Sequence, residues 1–468
     1  MKNVIFKNAD WIITMDGDRT RYRNCDLLVS GQEIREIGTN LEEKLKDEIT
    51  IDLTIDASGK ILVPGFVNTH HHTWQALFRN IKATQGLQLE PWLKVMYEIY
   101  KDLSQDVARA GVYASLGDCL KTGCTTSNDL WYPHPVGVPQ LVDAEIEAAK
   151  EIGIRFHPVR AYHSVTSDIV PPEVVDTTEG FMEDAERLVK KYHDRSRFSM
   201  CQVGIGPSIA QYDTQEIIQA TVDLAEKLDI MVHGHLAESK FEVEYTIEKF
   251  GCRPAEWFRR NNLLGSRFYY AHCIHLNDED IALIAQTNTG VASCPISNMY
   301  LSSGSCRVPD LMNAGVKRIG LGVDGAASSN SSNMMEEMRC SYLLNRLSWG
   351  DNAPNPEDIL YMATAGGAKA LGRDDIGYLS PGMAADITMI DWKQLQYAGG
   401  NNDPVDCIVT SGDARMIDTV MVNGNIVVKH GKLTMVDEDK KRDYVNEVGK
   451  ALLKKASVRI EGLKEDIE

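Results

Sequence analysis

The stretch "PGFVNTHHHTWQALFRN" (64–80) ends an apolar, β-branched run on three consecutive histidines. In a strand alternate residues share a face, so His70 and His72 point one way and His71 the other. Two imidazoles at that spacing can share one cation, but two ligands do not hold zinc well, and a His-x-His pair alone is common by chance. Further groups of the same chemical kind follow. "VHGHLAES" brings His235 and, three residues on, Glu238; "AHCIHL" brings His272; "GLGVDG" ends an apolar run on Asp324. Three imidazoles, a carboxylate and a water suit Zn²⁺, with Fe²⁺ the alternative. Such an ion lowers the pKa of its water to about 7 and makes a hydroxide that can attack an sp² carbon. A neighbouring acid–base group adds about 10²–10⁴-fold by moving protons.

Residues this far apart in the chain need a scaffold that gathers them. Between about 63 and 370, strand-like runs alternate with amphipathic helical stretches. The runs include "TGCTTSNDLW", "IRFHPVRAY", "IMVHGHLAES", "RFYYAHCIHL" and "RIGLGVDG"; "TQEIIQATVDLAEKLD" is one of the helices. Repeated β-then-α units predict an α/β fold with a parallel sheet, and seven or eight of them a closed (β/α)₈ TIM-like barrel. Each candidate group then lies at the C-terminal end of a separate barrel strand, where a core would want Val, Ile and Leu. Both chain ends read instead as short strands joined by Gly or Asn turns, too few on either side to bury a core alone, which predicts one small β-sandwich built from both ends. The expected divisions are 1–62 and 370–436 for the sandwich, 63–369 for the barrel and 437–468 for a charged C-terminal helix.

Composition narrows the function classes. A net charge of −18 argues against nucleic acid. No apolar run is long enough to cross a bilayer, and "MKNVIFKNADWIITMDG" lacks the pattern of a signal peptide. The ten cysteines are scattered without a CxxC pair, as expected for reduced core thiols. These features predict a cytoplasmic protein with a small-molecule substrate and neither a membrane nor a nucleic-acid partner.

"PGFVNTHHH", "HLAES", "AHCIHL" and "GLGVDGAASSNSSNMMEEMR", in this order, resemble the amidohydrolase superfamily over essentially the whole chain. Within it the likeness is to the mononuclear-metal aminohydrolases of purines, pterins and s-triazines. The resemblance implies that His70, His72, His235 and Asp324 hold the metal, with Asp324 also taking the proton of the water. It implies that Glu238 hands protons to the substrate ring and that His272 contacts substrate or the metal-bound water. Two-metal members carry a lysine on the fourth strand; "FSMCQVGIGPSIAQ" has none, so one divalent metal per chain is expected. The implied activity is hydrolytic deamination of an amino-substituted N-heterocycle, an oxopurine such as 8-oxoguanine or a pterin. The alternatives are s-triazine amino- or chlorohydrolysis, for which an intact Asp324 is mildly unfavourable, and opening of a purine ring at a cyclic amide. A non-catalytic scaffold is disfavoured by the complete set of ligand types. Relatives are usually homodimers or larger.

Other residues have lesser claims. Gln75, three past the histidines, and Trp92, in "LEPWLKVMYEIY" with Tyr97, could border a flat-ring pocket. His71 is expected to pack or support, His233 to stand behind the ligands, and His275 either to border the pocket or to cap a loop. "TTSNDLWYPHP" is read as following a third strand, with Leu130 where relatives carry histidine. Tyr162 and His163 are expected to reshape the pocket wall, and Asn298 to belong to a lid or stabilising turn after the seventh strand.

Overall fold

A computed structural model describes residues 2–460 together with 462 and 463. Eight parallel strands close into a barrel in chain order: Phe66–Asn68, Cys124–Trp131, Arg155–Tyr162, Gly204–Pro207, Val232–Leu236, Phe268–His272, Gly290–Ser293 and Ile319–Leu321. The ring closes where Leu321 pairs with Asn68. "TTSNDLW" is therefore the second barrel strand and not the third, because the short run before the histidines supplies the first.

Helices fill the crossovers for legible reasons. Gln215–Leu228 starts at Thr214, whose side chain accepts from the Ile217 amide, and buries Ile217, Ile218, Thr221, Leu224 and Ala225. That spacing makes one apolar stripe against the barrel. Asp278–Thr287 opens with a capping box between Asn277 and Asp280.

The chain ends combine as expected, in one nine-stranded sheet. Strand Asn3–Ile13 has a register shift between Phe6 and Ala9, with Asn8 left-handed at φ 59°. Its first half pairs with Leu53–Asp56 and its second with Lys60–Pro64. Lys60–Pro64 pairs in turn with Ile387–Asp391, which joins the two ends of the chain. It then runs through Gly65 into the first barrel strand; a Cβ there would lie 2.1 Å from Thr125. At the barrel's N-terminal face the buried Arg155 guanidinium donates to both oxygens of Asp386. Helix Glu438–Ala456 packs on Gln105–Lys121 through Tyr444 and Tyr113. The part of the expected C-terminal helix at 461 and 464–468 lies outside the described residues.

The ten cysteines are free and buried or half-buried. No helix among the described residues is long and apolar enough to cross a membrane.

Candidate metal centre and active site

The three histidines do not lie on a barrel strand. The first strand ends at Asn68, and His71–His72 form a separate short pairing with Asp324–Gly325. The chain is led out by Thr69, whose amide and hydroxyl both donate to the Leu321 carbonyl, and the Asp324 amide then donates to the His70 carbonyl. The alternation of side chains survives. His70 and His72 face inward, while His71 turns away, accepting from the His72 amide at Nδ1 and standing 3.2 Å from the Ser332 hydroxyl.

Proton bookkeeping fixes the tautomers. His72 Nδ1 lies 2.9 Å from the Leu130 carbonyl, and His235 Nδ1 lies 2.8 Å from that of Ser208. A carbonyl only accepts, so both Nδ1 atoms carry the proton and both Nε2 atoms are bare. His233 Nδ1 likewise donates to the Tyr269 carbonyl at 2.9 Å, which leaves His233 Nε2 as an acceptor for His70 Nδ1–H at 2.8 Å. His70 Nε2 is then bare too, and it is buried without a hydrogen-bond partner. Burial holds all three imidazoles neutral: His72 is lowered to about 4, and His70 and His235 fall well below the usual range.

These lone pairs converge. His72 Nε2 lies 3.3 Å from His235 Nε2, and His70 Nε2 and His72 Nε2 each lie 3.4 Å from Asp324 Oδ1. Four donors bound at about 2.1 Å to one tetrahedral ion would stand about 3.4 Å apart. Two bare nitrogens in contact repel unless a cation lies between them, so the donor set fits a divalent metal. Among the described residues the two metal-capable groups share His70 and describe one centre.

The acidic side of the site is held as tightly. Burial raises the Asp324 carboxyl, but the close approach of His70, with His272 and His72 nearby, outweighs that and holds it well below the usual range. Ser297 donates to Asp324 Oδ2 at 2.5 Å. Burial pushes Glu238 up to about 7. His272 Nε2 stands 3.5 Å from Glu238 and 4.0 Å from Asp324, and its Nδ1 donates to Asn298 Oδ1 at 2.9 Å. Burial lowers this histidine, but Glu238 and Asp324 carry it above its ordinary value. His272 and Asp324 have φ of 69° and 57°, a left-handed backbone that non-glycine residues adopt at a cost of about 1–3 kcal/mol and that collects at working sites.

The cavity over this centre is lined by His72, His235, Glu238, His272 and Asp324, by Gln75 and Trp92, and by Tyr97, Tyr132, Leu89, Leu93, Leu301, Ser208, Ile209 and Ser328. Gln75 donates to the Tyr100 hydroxyl at 3.0 Å, which leaves its buried Oε1 unpartnered; Trp92 Nε1 is also buried and unpartnered. Gly325 makes room for this amide, since a Cβ there would fall 1.8 Å from Gln75 Oε1.

The expectation that Tyr162 and His163 reshape the pocket wall changes, and the open readings of His275 and Asn298 resolve. Tyr162 is not in the wall: its hydroxyl meets Thr221 and its ring packs on Phe181, because as the last strand residue it faces the helices. His163 stands behind the wall, 2.5 Å from the Tyr97 hydroxyl, and His275 lies outside the lining. Leu130 also lies outside it and meets the centre only through its carbonyl. Asn298 sits on helix Pro295–Tyr300 as the partner of His272 rather than in a lid.

Sequence reasoning missed Tyr132, which edges onto His72, and Glu242. The spacing Ser239-x-x-Glu242 is a capping-box pattern that could have flagged Glu242.

Residues 61–427 match the model of the amidohydrolase family. The chain is 36% identical to 8-oxoguanine deaminase of Pseudomonas aeruginosa over 385 residues, 82% of this chain and 85% of the relative. It is 30% identical to isoxanthopterin deaminase of an unknown prokaryotic organism over 462 residues, 93% and 94% of the two chains. The crystal structure of atrazine chlorohydrolase from Arthrobacter aurescens TC1, complexed with zinc, superposes with a TM-score of 0.89 at 24% identity, covering 95% of this chain and 100% of that one; this likeness speaks to fold.

Proposed function

The chain belongs to the amidohydrolase family, and from that premise we propose that it is a hydrolytic deaminase of an amino-substituted oxo-heterocycle, an oxopurine of the 8-oxoguanine type or a pterin of the isoxanthopterin type. The observation that carries this reading is the cluster of three bare imidazole nitrogens, two of them against Asp324 and the third against His72, with Glu238 beside His272 in the same cavity. His70, His72, His235 and Asp324 would hold one Zn²⁺, which when bound supplies a water made acidic near neutrality.

The chain's own groups supply the rest. Asp324 Oδ2 accepts a proton released at the centre, with Ser297 holding the carboxylate in place. Glu238, raised by burial, gives a proton to a ring nitrogen, and His272 lies within reach of both carboxyl groups. In the wall, the unpartnered Trp92 N–H and Gln75 carbonyl match an acceptor and a donor, the C=O and N–H of a lactam edge. No lysine or arginine is among the lining residues, which suits an uncharged ring.

The test is ammonia release by the zinc-loaded protein from guanine, 8-oxoguanine, isoguanine, isoxanthopterin, cytosine, adenosine and amino-triazines. Turnover of one oxopurine or pterin, reduced about 10²–10⁴-fold in Glu238→Gln, is the expected result. Release of an alkylamine from a hydroxy-s-triazine would shift the reading to the second class, which Leu89, Leu93 and Leu301 in the wall could accommodate. Silence across the panel with one metal bound per chain would sink the deaminase reading.

A further inference from the structure

We infer that Glu242 is a positioning residue that clamps the turn carrying Glu238 and so sets where the Glu238 carboxyl meets the substrate; the catalytic half of this inference rests on the function proposed above. Helix Lys240–Phe250 already has its cap, because the Ser239 hydroxyl accepts from the Glu242 amide at 3.1 Å. In a capping box the glutamate at this place reaches back to the amide of the cap residue itself. Glu242 reaches further. Its Oε1 accepts from the Ala237 amide at 2.7 Å and its Oε2 from the Glu238 amide at 2.8 Å.

The turn needs such a hold. Ala237 has φ 52°, a left-handed conformation disfavoured for a residue with a Cβ, and it persists only where the surroundings impose it. The Ala237 carbonyl accepts from the amides of Ile274 and His275, so the same peptide ties the loop after the fifth strand to the loop that follows His272. Glu242 is buried, so water is poorly placed to replace its carboxylate if it is removed. Its charge sits at the positive end of its own helix, which favours it there. A second helix cap would do none of this work for Glu238: the carboxylate acts on the two amides that decide how far, and in which direction, the catalytic side chain projects.

The experiment combines amide exchange with kinetics on the zinc-loaded full chain. In the wild type, the Ala237 and Glu238 amides are expected to exchange as slowly as those of strand Val232–Leu236, although they lie in a loop. Glu242→Gln, which keeps the shape but replaces one acceptor with a donor, is expected to speed exchange at those two amides by about tenfold or more. It should retain one zinc per chain and a KM within about threefold, and lower kcat by about 10- to 100-fold, the scale of a small misplacement of a reacting group. Glu244→Gln, the same change at an exposed position of the same helix, should leave all of these unchanged. Fast exchange at the two amides in the wild type would overturn the inference without any variant. So would a Glu242→Gln effect no larger than that of Glu244→Gln, or one spread over the barrel with loss of zinc. Absence of turnover in the wild type would instead overturn the deaminase reading, while the exchange arm still decides the clamp.

Discussion

His72 and His235 bring two bare nitrogens to 3.3 Å because carbonyl oxygens of Leu130 and Ser208 take the protons on the far sides of the rings. His70 differs, since its Nδ1 proton goes to another imidazole, His233, which a third carbonyl locks as an acceptor. Removing His233 should therefore act at a distance from the ion. In His233→Ala, His70 loses the partner that fixes its tautomer, and zinc affinity is expected to fall about 10- to 100-fold. Competition with a chelator of known affinity measures this directly; an unchanged affinity would show that His70 needs no such support. The residue types that gather here were legible as candidate ligands from their chemistry and order in the sequence. What aims them was not, because backbone carbonyls can be supplied by any residue, and Leu130 and Ser208 carry no mark of that task.

At the scale of elements, the strands and helices of the barrel follow from periodicity and capping, but the working residues sit just past the regular structure. The expectation that each candidate ends a strand is met by His272 and missed by His70, His72 and Asp324: His72 and Asp324 belong to a short ladder of their own, His71–His72 against Asp324–Gly325, and His70 lies in the link before it. The left-handed backbone at Ala237, His272, Cys273 and Asp324 turns side chains over the barrel mouth, and nothing in apolar patterning announces such turns at non-glycine residues. The short helix Pro295–Tyr300 shows how one element serves two of the groups proposed for catalysis: Ser297 addresses Asp324 and the adjacent Asn298 addresses His272. Asn298→Ala would leave the buried His272 Nδ1 proton unpaired and let the ring turn away from Glu238. The expected result is a loss of about 1–3 kcal/mol in stability together with a lower kcat, with zinc stoichiometry unchanged because the four proposed ligands are untouched. Denaturant unfolding and metal analysis on one preparation separate these effects, and an unaltered kcat would remove His272 from the chemistry.

Over the whole molecule, the sheet made from both ends is fastened to the barrel far from the metal centre. Arg155 begins the third barrel strand and meets Asp386, whose Oδ1 also accepts from the Asn423 amide, so one fully buried pair links barrel and sheet. The likeness of the two ends was readable from their turns and strand lengths; this junction was not, because it joins residues 231 apart. Removing one partner of a buried pair strands the other, so Arg155→Ala should cost about 3–5 kcal/mol while leaving kcat/KM of the folded fraction intact. Urea unfolding beside active-site titration checks both halves. A second global property comes from histidines that burial holds neutral. His71, His163 and His233 are each lowered to about 3. In the unfolded chain they titrate near the ordinary value of about 6.5. Below that pH the unfolded state binds more protons than the folded one, so stability falls as the pH falls. Between pH 7 and 5.5 each should cost about 1 kcal/mol, and the loss should continue toward pH 3, whereas above pH 7 these groups add no slope. Unfolding curves at pH 7.5, 6.5 and 5.5, taken with the metal removed so that protons and metal do not compete for the ligands, test this. A flat stability across that range would mean that these rings gain protons in the folded protein as readily as in the unfolded one.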